Sequence, residues 1–80
     1  MQEKKNLEEL LVRVLSKSGE KGATFSEIYA SMKSLYPDIR KIEVRELLSI
    51  LVRDGVIERV PDYERKRMVF RIKTKHGEES

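Results

Sequence analysis

Eighty residues leave room for one small core and no second domain. Cysteine is absent, which excludes a disulfide framework, a thiolate metal site and a cysteine nucleophile, and a cytoplasmic setting is expected. The chain is 39% charged yet carries a net charge of only +3, and its charged opening, MQEKKNLEEL, lacks the apolar run of a signal peptide or membrane span, so a soluble protein is expected.

The first helix is expected over 6–17, because Leu7, Leu10, Leu11, Val14 and Leu15 fall on one stripe and Asn6 with Glu9 suits its N-cap. SKSGEKG, 16–22, ends it and forms an exposed loop. Ala23, Thr24 and Phe25 read as a short strand, after which Ser26 is expected to cap a second helix. Phe25, Ile28, Met32 and Leu35 would share its inner face until Pro37 forbids continuation. Asp38 is the expected cap of a third helix, with Val44, Leu47, Leu48 and Leu51 buried and Gly55 as its stop.

VIERV is then a strand, PDYERKR (61–67) a polar turn, and MVFRIK a second strand with Met68, Phe70 and Ile72 on one face and Val69, Arg71 and Lys73 on the other. Residues 1–75 are thus one domain and 76–80 a frayed tail. Helix, short strand, helix, helix and β-hairpin is the order of an α+β winged helix-turn-helix. The third helix stands in the recognition position and 61–67 at the wing tip.

Enzyme chemistry has no foothold in this pattern. There is no phosphate-binding glycine motif, no nucleophile beside a base, and the single histidine, His76, lies in the polar tail, so neither a cofactor nor a metal is expected. Gln2 and Asn6 are the only side-chain amides among many Lys, Arg and Glu, a composition usual in heat-adapted proteins. The excess positive charge is local: Arg59, Arg65, Lys66, Arg67, Arg71, Lys73 and Lys75 stand against Asp62 and Glu64. A wing carrying Arg65, Lys66 and Arg67 suits contact with nucleic-acid phosphates.

The third helix argues the other way. With its leucine stripe inward, Ile42, Glu43, Glu46, Ser49, Ile50 and Arg53 face outward, and two carboxylates there would be repelled by phosphates. Isoleucines rimmed by both signs of charge suit a protein interface. The blander alternative tucks Ile50 beneath the wing and packs Ile42 on the turn before the helix.

LYPDIRKIEVRELLSILVRDGVIE, 35–58, resembles the central segment of the DsrD family, small accessory proteins of dissimilatory sulfite reductase. The likeness is carried by Tyr36, Pro37 and Asp38, by Glu43 and Val44 followed by Leu47 and Leu48, by Leu51, Val52, Asp54, Val56 and Glu58, and by SKSG at 16–19. The chain departs from the family at 20–34, where its spacing is longer, and in its far more basic wing. The resemblance implies a non-catalytic winged helix that binds dissimilatory sulfite reductase and raises sulfite reduction. On that reading Ile42, Glu46, Ile50 and Arg53, with Tyr63, Arg65, Lys66 and Arg67 of the wing, dock on the enzyme and activate it allosterically by favouring one of its states. The alternative is a DNA-binding regulator or nucleoid-associated protein held chiefly by its wing.

Overall fold

The computed structural model describes residues 2–73, with side chains from residue 6 onward; the tail expected at 76–80 and His76 lie outside the described residues. Three α-helices, α1 (Gln2–Ser18), α2 (Phe25–Leu35) and α3 (Lys41–Arg53), precede two antiparallel strands, β1 (Ile57–Asp62) and β2 (Arg67–Ile72). The fold is the expected α+β winged helix. Leu11 and Leu15 of α1, Ile28 and Met32 of α2, the α3 stripe Val44, Leu47, Leu48 and Leu51, and Ile57 of β1 form one core, with Ile39 sealing it from the loop before α3. Burying each of these large side chains contributes about 1.5–3 kcal/mol.

Several local expectations are corrected. The first helix starts near Gln2, so Asn6 is interior rather than a cap; Gln, Glu and Lys are good helix formers and carry the helix outward. The cap of α2 is Thr24, not Ser26: Thr24 Oγ1 accepts the Glu27 N–H at 3.2 Å and the Glu27 carboxylate accepts the Thr24 N–H at 3.0 Å. Arg40 rather than Asp38 precedes α3, where Glu43 accepts the Arg40 N–H at 2.9 Å. Arginine has no acceptor, so only half of a capping box exists there. Leu35, expected inside, is 57% exposed at the end of α2.

The stop of α3 is as the sequence implies. Gly55 takes φ +82°, its N–H meets the Val52 carbonyl at 3.1 Å, and the Val56 N–H meets the Leu51 carbonyl at 3.0 Å, closing a Schellman motif that turns the chain into β1. The strands reach further than expected, pairing from Ile57 with Ile72 to Asp62 with Arg67, so only 63–66 remain as the turn. Pro61 is tolerated in β1 because that strand is an edge, and the Asp62 carboxylate takes the N–H groups of Glu64 and Arg65 at 3.1 and 3.2 Å.

The short strand at 23–25 reduces to one bridge, in which Ala23 and Phe70 exchange backbone hydrogen bonds of 2.9 and 2.8 Å. This contact fixes β2 between β1 and the entry to α2. It also needs Gly22, at φ +75°: a Cβ there would lie 2.6 Å from the Phe70 carbonyl oxygen. The same approach covers Val69, which is 2% exposed, while Met68 on the supposed inner face is 40% exposed. The expected alternation of burial does not hold: Val69, placed on the outer face, is the buried residue of β2, and Phe70, Arg71 and Ile72 are all half-buried.

Candidate functional site

Seen down its axis, α3 sorts its charges. Lys41 and Arg45 lie on the flank toward α2 and the hairpin, Glu43 on the flank toward α1, and Ile42, Glu46, Ser49 and Arg53 near the crest. On the hairpin flank, a groove of about 580 Å³ runs between α3 and the strands. Leu48, Val52, Phe25 and Phe70 supply its apolar lining, and Arg45, Arg53 and Arg59 its charge. Among the described residues, no carboxylate lines it.

Aromatic rings hold some of these cations in place. Phe25 and Tyr29, one turn apart on α2, stack with centroids 6.2 Å apart and planes within 5°. The Arg45 guanidinium lies 4.7 Å from the Phe25 centroid, and the Lys41 and Lys33 ammonium groups 5.7 and 5.9 Å from that of Tyr29. Among the described residues, Lys33, Lys41, Arg45 and Arg59 enter no ion pair; Arg53 is 3.9 Å from Asp54, a solvent-exposed contact worth little. The face therefore presents positive charge that the described residues leave largely unpaired.

The wing tip differs from the sequence expectation. Arg65 turns back onto the body, 3.1 Å from the Glu27 carboxylate and 3.2 Å from that of Asp62. Glu27 is held below the usual carboxylate range, first by the Thr24 backbone hydrogen bond and then by Arg65. Lys66 and Arg67 remain exposed, Lys66 at φ +58°, and Tyr63 projects with 83% of its surface in solvent. Arg71, counted with the basic excess, is hydrogen-bonded to Glu58 at 2.6 Å.

The sequence-derived docking set is thus split. Ile42, Glu46 and Ile50 line a second groove with Leu7 of α1, on the far side of α3 from the hairpin. Ile50 is half-buried there rather than beneath the wing, and Ile42 is 54% exposed. Arg53 belongs to the hairpin groove, and Tyr63, Arg65, Lys66 and Arg67 to the tip. Arg45, Arg59, Lys41 and Lys33, with Phe25 and Tyr29, were not among the expected site residues. The helical spacing of Lys41, Arg45 and Ser49, and of Phe25, Tyr29 and Lys33, was their signal.

Among the described residues no group of His, Asp or Glu is arranged to hold a metal ion, and no helix is long and apolar enough to cross a membrane. The likeness to the DsrD family rests on the residues that carry it in the sequence. No family model matches this chain, and neither a curated protein nor a solved structure matches it.

Proposed function

We propose that this chain is a non-catalytic winged-helix protein that binds duplex DNA, as a transcriptional regulator or nucleoid-associated protein. The observation that carries the reading is the groove between α3 and the hairpin, lined by Arg45, Arg53 and Arg59 and, among the described residues, by no carboxylate. A recognition helix set against a DNA groove brings its wing-side flank beside the phosphate backbone, where unpaired cations release counterions and gain affinity. This reduces the weight that Glu43 had in the sequence. Glu43 is turned to the α1 side and engaged with the Arg40 N–H, while Glu46 stays on the crest beside Ser49, with Arg45 on the adjoining flank.

Fluorescence anisotropy of a labelled duplex tests it. Binding at a Kd of micromolar order or tighter near physiological salt, weakening linearly on a log–log salt plot, is expected. Failure to bind any duplex at low salt would refute it.

A second reading keeps the resemblance to the DsrD family and makes the protein an activator that docks on dissimilatory sulfite reductase. It is favoured by Ile42, exposed beside Ile50, Leu7 and Glu46 on the opposite flank of α3. Such an apolar strip rimmed by charge is the composition of an interface centre. A specific rise in the rate of sulfite reduction by the purified enzyme, lost in Ile42→Glu, is the result this reading requires.

A further inference from the structure

We infer that the DNA face recognises the phosphate backbone of a duplex with little regard to sequence, and that Phe25 and Tyr29 act as positioning residues that hold its cations. The inference rests on the DNA-binding reading and names what that site takes. Bases are read most specifically by bidentate side chains, Arg or Lys on guanine and Asn or Gln on adenine, set on the crest of α3. The crest carries one such residue, Arg53, among Ile42, Glu46 and Ser49, and the chain has neither Asn nor Gln beyond residue 6. The cations cluster on the flank, where a helix lying in a groove meets phosphates.

The rings explain how flexible side chains could be effective there. A guanidinium lying over Phe25 is held by its charge on the ring face, and its N–H donors meet no hydrogen-bond partner among the described residues. Tyr29 gathers two ammonium groups, from Lys33 on its own helix and Lys41 at the start of α3, within 6 Å of one ring centroid. Holding these side chains before binding removes part of the ordering entropy that long, mobile cations lose. The same arrangement occupies the neighbourhood of the rings with cations, leaving them poorly placed to stack on unpaired bases as single-strand binders require.

The test is anisotropy across a salt series on two duplexes of unrelated sequence and one single strand, using wild type, Tyr29→Phe, Tyr29→Leu and Phe25→Leu. Circular dichroism melts select folded variants, and Tyr29→Phe keeps the ring where Tyr29→Leu removes it. The duplexes are expected to bind within about threefold of each other and more tightly than the single strand. Tyr29→Phe should match wild type. Tyr29→Leu and Phe25→Leu should weaken binding about three- to tenfold with an unchanged salt slope, because no charge is lost. A preference of about 100-fold for one duplex, tighter binding of the single strand, or wild-type affinity in a folded Tyr29→Leu would overturn the inference while leaving DNA binding intact. No binding to any of the three would instead overturn the DNA-binding reading beneath it.

Discussion

The wing tip and the wing-side groove hold similar numbers of cations but differ in what those cations are doing. At the tip, Arg65 is engaged by Glu27 and Asp62, so it ties the hairpin to the start of α2, while Lys66 and Arg67 stay exposed beyond it. In the groove, Arg45 and Arg59 have no carboxylate partner among the described residues, and Arg45 rests on a ring. Charge counted along a chain is therefore a poor guide to charge available to a ligand. What matters is which cations the fold has already paired.

The largest effect that would sharpen this contrast is expected from Arg45→Ala, Arg53→Ala and Arg59→Ala combined. Duplex affinity at low salt should fall on the order of 100-fold, with the melting temperature little changed, since all three are exposed and weakly tied. Gly22→Ala strikes the element on which both regions depend. Its Cβ would press on the Phe70 carbonyl at a positive φ, and a loss of about 2 kcal/mol or more is expected in chemical denaturation.

Arg65→Ala should do the reverse of the groove variant. It should cost at most about 1 kcal/mol of stability, because the pairs are partly exposed, and change duplex affinity less than about twofold. Acid acts on the same contact. Glu27 has its pKa lowered by folding, so its contribution is complete above the unfolded carboxylate pKa of about 4.3 and is lost as pH falls through the lower, folded value. In Arg65→Ala that acid-limb loss should shrink, without vanishing, since the Thr24 hydrogen bond remains. The smallest effect is expected from Lys66→Gly, a gain of up to about 1 kcal/mol as a left-handed residue loses its Cβ.

The fold was legible wherever periodicity met a strong stop. The α3 stripe and Gly55 specified the helix's buried face and its exit into β1. Caps were legible but misread: Thr24 with Glu27 three residues on is a capping-box signature, and the adjacent Ser26 competed with it. Val69 could not be foreseen, because its burial depends on Gly22 approaching from a loop far away in sequence. The site was the least legible part. An outward arc of α3 can be drawn from 100° per residue, but which flank meets the hairpin and which meets α1 is set by tertiary packing. That choice separates Lys41 and Arg45 from Ile50 and Glu43, and with them a nucleic-acid surface from a protein surface.

The most direct test of the central claim is the salt dependence of duplex binding in two charge-deleted variants measured side by side: Arg45→Ala with Arg59→Ala, and Arg65→Ala with Lys66→Ala and Arg67→Ala. If the groove holds the backbone, the first should flatten the log–log slope by about 1.8 and the second by less than about 1, although it removes more charge. A larger flattening from the tip variant, with the groove variant near wild type, would contradict the account and place the DNA on the wing tip.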